Sequence, residues 1–326
     1  MTSKRYITTI LSLMLLLPIG AQKVTLGSTK TKDGGDYNGE LQSGKPHGKG
    51  RAVYKNGNLY EGEYEKGKRQ GYGTYLFTDG EKYEGEWFQD QQHGQGTYYF
   101  ANNNRYEGLW FRDYQHGHGI MYYFNGDKYD GEWFKDMRSG KGTFRYADGD
   151  SYTGQWQHDE MNGRGIYKFQ NGDVYEGDYV NGNRTGSGIF KYANGDKYSG
   201  SFVNGDKQGQ GTFIWKNGDM YTGQWQHDKQ EGRGKLTKKN GDQVEGLFRN
   251  GQPNGECIMR FADGSKFKGH MKDGKRNGPA IEEDKDGTRF EGTYVDDMRD
   301  GKFIEKDRNG KIVRQGTYTR GHRTLL

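Results

Sequence analysis

Paired carboxylates, histidines beside glycines and a single cysteine are the residues of this sequence whose types could support chemistry. Glu84 and Glu86 are separated by one residue, and paired carboxylates are the catalytic groups of glycoside hydrolysis. His116 and His118 are also one residue apart and carry the donor atoms of a metal site. Cys257 is the only thiol in the chain. The weight of each candidate depends on whether it is singular or recurs with a structural pattern.

The sequence repeats itself every 23 residues. A Tyr-x-Gly motif marks the period, and its glycine is present in all copies from Gly39 to Gly292. A spacing of 20–50 residues is typical of repeat architectures in which each copy is one structural unit. The position of the motif tyrosine is occupied by Tyr37, Tyr60, Tyr83, Tyr106, Tyr129, Tyr152, Tyr175, Tyr198, Tyr221, Val244, Phe267 and Phe290.

Three further positions keep the same period. One is a turn glycine, as in Gly80 and Gly126, which is replaced once by Asn103. Asparagine is the next best residue at positive φ, so this position predicts a left-handed turn. A Gly-x-Gly pair also recurs, and a large aromatic residue usually follows the Tyr-x-Gly glycine by two positions.

Alternation within one copy predicts a β-hairpin. In residues 96–100 and 106–110, every second position carries a ring or a glycine, and the positions between them are mostly polar. This is the pattern of antiparallel strands with one buried face. Isolated hairpins are marginally stable, so stability must come from stacking. We therefore predict an all-β fold, an elongated single-layer antiparallel sheet of about 12 stacked hairpins with a 23-residue period.

The repeated residues resemble the MORN repeat (membrane occupation and recognition nexus). The resemblance rests on Tyr83-Glu84-Gly85-Glu86-Trp87, on residues 93–98 and on residues 125–129, and it extends over residues 34–303. It implies a sheet of hairpins, and a role in scaffolding, dimerisation or membrane attachment rather than catalysis. After about Leu236 the repeated positions lose their typical residues, and the resemblance to the family is weakest there.

The repeat also decides the chemical candidates. His47, His93 and His116 share one position, which we assign to a loop and which holds Ser139 and Asn162 in other copies. A catalytic base would not be exchangeable with serine or asparagine. The carboxylate pairs recur on the polar face, and no strand–loop–helix phosphate motif accompanies the glycines. We expect no catalytic, cofactor-binding or metal-binding residue, and no enzymatic activity.

The aromatic face is the candidate interaction surface, because exposed apolar patches mark binding sites. Its rings are Trp87, Trp110, Trp133, Trp156, Trp225, Tyr83, Tyr106 and Tyr129. The expected partner is another protein or a second copy of the chain; an envelope glycan is an alternative, since rings suit flat sugar faces. A second alternative is an anionic lipid, bound by basic loops at Lys68, Arg69, Lys275 and Arg276.

The N-terminus has the layout of a secretory signal peptide. Lys4 and Arg5 precede an apolar run that ends at Ala21, which predicts cleavage after Ala21 and export to the periplasm, the cell surface or the medium. Without Lys4 and Arg5 the net charge falls from +5 to +3, too little to predict nucleic-acid binding. We divide the chain into a signal peptide (1–21), an edge strand (22–33), the array (34–303) and a degenerate C-terminal repeat (304–326).

Overall fold

The computed structural model describes residues 23–325, and this part of the chain is all-β. The signal-peptide prediction for residues 1–21 lies outside the described residues. Two compact units are distinguished, one ending at Tyr114 and one beginning at Gln115. In each unit, consecutive strands pair antiparallel in a single layer, which confirms the predicted fold class. Between residues 23 and 325 no helix has the length and apolar character needed to cross a membrane.

The first unit consists of four hairpins. Its strands are β1 (Val24–Lys30), β2 (Asp36–Gln42), β3 (Lys45–Val53), β4 (Leu59–Glu65), β5 (Lys68–Leu76), β6 (Lys82–Phe88), β7 (Gln91–Tyr99) and β8 (Arg105–Phe111). Strands of seven and nine residues alternate from β2 onward, which follows the fixed 23-residue period.

The second unit continues the same alternation. Its strands are β9 (Tyr114–Tyr122), whose first residue ends the first unit, β10 (Lys128–Phe134), β11 (Met137–Arg145), β12 (Ser151–Gln157), β13 (Glu160–Lys168), β14 (Val174–Val180), β15 (Asn183–Lys191), β16 (Lys197–Val203), β17 (Asp206–Ile214), β18 (Met220–Gln226), β19 (Lys229–Thr237), β20 (Gln243–Arg249), β21 (Gln252–Arg260), β22 (Lys266–Lys272), β23 (Lys275–Glu283), β24 (Arg289–Val295), β25 (Met298–Arg299), β26 (Gly301–Lys306), β27 (Ile312–Thr319) and β28 (His322–Leu325). The regular lengths end at β25, where the repeat pattern has decayed.

Two kinds of turn join the strands. The longer turn contains the predicted left-handed residue, with φ of 65° at Asn103 and 93° at Gly126. The shorter turn has two residues, and Gln89 and Asp90 both have positive φ, which matches the twist of the flanking strands. Asp90 tolerates this conformation because its Oδ1 accepts a hydrogen bond of 2.8 Å from the backbone N–H of Arg69 in the preceding hairpin.

The longer turns are also linked to one another. Asp219 Oδ1 accepts a hydrogen bond of 2.9 Å from the backbone N–H of Lys239 in the next turn, and Asp173 and Ala193 make the same contact. The Lys239 N–H, with help from the Lys238 ammonium, lowers the pKa of Asp219. The linkage is therefore complete above the ordinary carboxyl range and is lost when the pH falls through this lowered pKa.

The alternation of side chains gives each unit two faces. The ring face carries residues such as Tyr83, Gly85 and Trp87, and the carboxylate face carries Glu84 and Glu86. The alternation is interrupted once per hairpin by a bulge. Between the pairs Gly85–Gly96 and Trp87–Gln92, β6 has one residue and β7 has three. The carboxylate of Glu86 accepts a hydrogen bond of 3.1 Å from the backbone N–H of Gln95 in this bulge.

The core of most hairpins is a tyrosine held edge-on between two other rings. The Tyr83 ring lies 5.2 Å from that of Trp87 and 5.3 Å from that of Trp110, at interplanar angles of 90° and 82°. Its hydroxyl donates a hydrogen bond of 2.9 Å to the backbone carbonyl of Glu86. Edge-to-face pairs of this kind add about 0.5–1.5 kcal/mol each beyond the burial of apolar area.

Paired glycines make room for that tyrosine. A Cβ built at Gly96 would lie 2.4 Å from the Tyr83 hydroxyl oxygen, and one at Gly85 would lie 2.5 Å from the Gly96 Cα. The second glycine is replaced in two copies whose motif residue has no hydroxyl group. Cys257 stands opposite Gly246 in the Val244 copy, and Ala280 stands opposite Gly269 in the Phe267 copy.

This coupling between hydroxyl and glycine is testable at Phe267 and Ala280. We expect Phe267→Tyr to cost about 1–3 kcal/mol, because the new hydroxyl meets the Ala280 methyl group. Adding Ala280→Gly should recover most of that loss. Urea unfolding of the two single variants and the double variant gives the interaction energy. Equal stability of Phe267→Tyr and the parent protein would contradict this account.

Candidate interaction surface

The eight rings predicted to form the interaction surface are buried. Tyr83, Tyr106 and Tyr129 have no exposed area, and the tryptophans Trp87, Trp110, Trp133, Trp156 and Trp225 are at most 6% exposed. The prediction was wrong for these residues, because each hairpin's large ring covers the tyrosine of the hairpin before it. They form the core of a single-layer sheet and offer a partner almost no accessible area.

A different set of rings remains accessible on the ring face. It lies toward the longer turns and, in the first unit, runs through Tyr54, Tyr75, Phe77, Tyr98 and Phe100, with successive centroids 4.6–5.9 Å apart. Tyr54 is buried and the other four are half-buried. The accessible aromatic area on this face is therefore a row of ring edges along one rim.

The basic residues predicted to bind lipid fall into two classes. Lys68 is half-buried and Lys275 is exposed, each at the start of a strand. Arg69 and Arg276 are held against the ring face, with their guanidinium groups 4.5 Å from the ring centroids of Trp87 and Tyr294. This corrects the expectation of exposed basic loops, since both arginines are committed to contacts within the protein.

Arg69 and Arg276 belong to a column that sequence reasoning did not recognise as structural. Arg69 lies over two rings and donates a hydrogen bond of 2.9 Å to the backbone carbonyl of Asp90. Arg138, Arg184 and Lys207 occupy equivalent positions, each with its cation within 6 Å of ring centroids. The sequence does show a recurrent Arg or Lys nine residues after the motif residue. Its structural role was missed because some of the rings that it contacts are distant in sequence.

The recurrent carboxylates are used by the sheet. Glu86 satisfies the bulge, and Glu84 forms an ion pair of 2.8 Å with Lys82. In the second unit Gln224 takes the place of Glu86 and accepts a hydrogen bond of 2.8 Å from Arg233 N–H. These side chains bond to the main chain or lie beside it, on the polar face that the sequence predicts for them.

The carboxylate face of the second unit contains a broad groove of about 940 Å³. It crosses the strands above the paired-glycine row, where the main chain forms its floor. Leu247, Ile258 and Ile281 give it apolar lining. Three basic and three acidic residues also line it, namely Arg233, Lys235, Lys268, Glu245, Glu256 and Glu291. The first unit has a smaller groove of about 460 Å³ on the same face.

The histidines and the cysteine have structural surroundings. His93 lies within β7, so its assignment to a loop was wrong; its ring lies 5.5 Å from Phe88 and 5.3 Å from Phe111. Cys257 is buried in its glycine column, and burial raises the pKa of its thiol. No group of three potential metal ligands occurs among residues 23–325.

Comparison with family models gives one result. A model described as MORN repeat matches twelve consecutive segments, which share the register of the Tyr-x-Gly motif and cover most of residues 37–302. The segments are 37–59, 60–82, 83–105, 106–128, 129–151, 152–174, 175–197, 198–220, 221–243, 245–266, 267–289 and 290–302. Comparison with curated protein sequences finds no match.

Solved structures give weaker similarities. The SAS-4 (dCPAP) TCP domain of Drosophila melanogaster, in complex with a proline-rich motif of Ana2, is 16% identical over 55% of this chain and 85% of that one, with a TM-score of 0.29. The TCP10 domain of Danio rerio CPAP is 10% identical over 82% and 99%, with a TM-score of 0.20. An inactive virginiamycin B lyase of Staphylococcus aureus is 11% identical over 91% and 96%, with a TM-score of 0.14. With scores this low, none of them serves as a template.

The contrast between Arg69 and its neighbour Lys68 gives a matched pair of variants. We expect Arg69→Met to reduce the free energy of unfolding by about 1–2 kcal/mol, through loss of the cation–ring contacts and of the hydrogen bond to Asp90. Methionine fits, since Met161 fills the same column. Lys68→Met should change stability by less than about 0.5 kcal/mol. Equal effects in urea unfolding would show that Arg69 is an ordinary surface residue.

Proposed function

The chain belongs to the MORN-repeat family, and from that premise we propose that it is a non-enzymatic scaffold that binds an extended segment of a partner protein. The observation that carries this proposal is the groove of about 940 Å³ on the carboxylate face of the second unit. Its volume is in the range of small-molecule and peptide-sized sites.

The chemistry of the groove lining favours a polypeptide. Its three basic and three acidic residues alternate with leucine and isoleucine side chains. A polyanion or an anionic membrane surface would call for one sign of charge. No phenylalanine, tyrosine or tryptophan lines the groove, so it lacks the stacking platforms that would favour a glycan. A peptide brings charges of both signs and apolar side chains together.

The ring face is less suited to this role. The large rings of this face are buried by packing, and the ring edges that stay accessible form a narrow row along one rim. The carboxylate face of the second unit, by contrast, also exposes Phe134, Val180 and Val203 by 49–50% each, outside the groove. A peptide held in the groove leaves these side chains uncovered, so they lie outside the proposed contact.

Selection of linear peptides against the protein tests the groove. Peptides enriched from a random library should bind at least tenfold more weakly to a Leu247→Asp/Ile281→Asp variant, because carboxylates replace apolar lining. Val180→Asp/Val203→Asp is the matched control, since it places two carboxylates on the same face outside the groove. Unchanged binding to the groove variant would contradict the proposal, and light scattering of the free proteins separates a foreign partner from self-association.

We also propose that the protein is exported. The support is the sequence Lys4-Arg5, the following apolar run and the small residue Ala21. Mass spectrometry of the protein from its native cells should give Gln22 as the first residue. An intact N-terminus in a cytosolic fraction would contradict export and would leave the groove proposal unaffected.

A further inference from the structure

In the first hairpin, no cation occupies the position nine residues after the motif residue. In the second hairpin Arg69 lies between the rings of Tyr75 and Trp87, 5.2 and 4.5 Å from their centroids. In the first hairpin the corresponding residue is Pro46, and the ring position of Tyr75 is taken by Ala52. Two side chains are thus truncated at one place.

A cavity of about 270 Å³ lies beside Pro46 on the ring face of the first unit, since Gly67, whose N–H bonds the Pro46 carbonyl, is part of its lining. Tyr54 and Tyr64 provide its aromatic walls, and Thr31 and Asp90 also line it. The exposed Lys32 and Asp33 stand at its rim. The volume corresponds to roughly nine water molecules in the liquid, so the space admits a small organic group.

One polar group in this cavity is poorly satisfied, because the Tyr64 hydroxyl faces the Tyr54 hydroxyl with poor hydrogen-bond geometry. Tyr64 is 4% exposed, and its hydroxyl is buried without a hydrogen bond of standard geometry. The motif tyrosines on either side, Tyr37 and Tyr60, donate to backbone carbonyls at 2.7 and 3.1 Å. A buried hydroxyl that lacks a good hydrogen bond favours a ligand that bonds to it.

Other hairpins of the chain indicate the group that suits this space. Tyr294 stands where Tyr64 does, and the guanidinium of Arg276 lies 4.5 Å from its ring centroid. The hydroxyl of Tyr294 accepts a hydrogen bond of 3.1 Å from Arg299 Nε. A tyrosine at this position therefore carries a guanidinium on its face and accepts a second guanidinium at its hydroxyl.

The charge around the cavity is consistent with a cation. Asp90 is already paired with Arg69, through a hydrogen bond to its backbone N–H and a 3.6 Å contact to Nε. Asp33 at the rim adds a second carboxylate, and Lys32 is the only basic residue of the lining. Cations are attracted both to ring faces and to carboxylates, and the attraction to the rings grows when water is excluded.

We propose that this cavity binds an organic cation, a guanidinium or ammonium group, in the place that Arg69, Arg138 and Arg276 fill in other hairpins. The cation is either a basic side chain of a partner protein or a free small molecule. The inference is independent of the groove, which lies on the other face and in the other unit.

Calorimetric titration with three probes tests the chemistry. Acetyl-Gly-Arg-Gly-amide and methylguanidinium should both bind, and the citrulline peptide, which is nearly isosteric but neutral, should bind at least tenfold more weakly. A tenfold preference for the arginine peptide over methylguanidinium indicates a protein side chain, and equal affinity indicates a free cation. Equal binding of arginine and citrulline peptides, or no binding by either cation, would overturn the proposal.

Pro46→Arg places the chain's own guanidinium in the cavity. Arg184 is the structural precedent, because Gly205 N–H bonds its backbone carbonyl at 2.9 Å just as Gly67 N–H bonds that of Pro46 at 2.8 Å. This variant should raise the melting temperature and weaken cation binding at least tenfold. Pro253→Arg, the same change in the same column of the second unit, should leave cation binding unchanged. Undiminished binding by a folded Pro46→Arg variant would place the cation elsewhere.

Discussion

The structure depends on a tyrosine ring packed against bare main chain. In a sheet one layer thick, no second layer covers the ring face, so each hairpin must bury its own tyrosine with its own residues and those of the next hairpin. Tyr83 reaches this state because Gly85 and Gly96 leave space for its hydroxyl, and because Trp87 and Trp110 close over its edges. This packing explains the aromatic residues and the paired glycines, and the turns with positive φ account for further glycines.

The same constraint links distant parts of each repeat. The Trp87 indole N–H donates a hydrogen bond of 3.1 Å to the carbonyl of Gly73, so the paired-glycine row accepts rings on its surface and donors at its carbonyls. Where the tyrosine becomes Val244 or Phe267, the glycine opposite becomes cysteine or alanine. The residues change together because the hydroxyl and the missing Cβ occupy one space.

Packing of this kind buries the motif tyrosines and the tryptophans that pack over them. The large rings and the column of arginines are used to close the ring face, and many carboxylates are used to complete bulges and turns. Two sites remain. One is the groove, whose floor is main chain and whose lining mixes charged and apolar side chains. The other is the cavity in the first hairpin, which has Pro46 and Ala52 where the second hairpin has Arg69 and Tyr75. The proposed cation site occurs where the first hairpin lacks side chains that fill the equivalent space in other hairpins.

Much of this fold could be predicted from the sequence because its determinants are local. Alternation assigns Tyr83, Gly85 and Trp87 to one face, and the demand for positive φ explains Asn103 among glycines. The resemblance to the MORN repeat is carried by the same local residues. The exchange of His93 for serine or asparagine in other copies predicts a structural role, and the structure places its ring beside Phe88 and Phe111.

Only the tertiary structure decided which rings are exposed and which cations are free. Periodicity assigns a face to Trp87 but does not show that packing against Tyr60 and Tyr75 of the preceding hairpin leaves it 5% exposed. Arg69 reads as a basic loop residue until Trp87, 18 residues later, is placed beneath it. Burial and ion pairing depend on contacts between hairpins, and these are set by twist, bulges and stacking distance rather than by the order of residues.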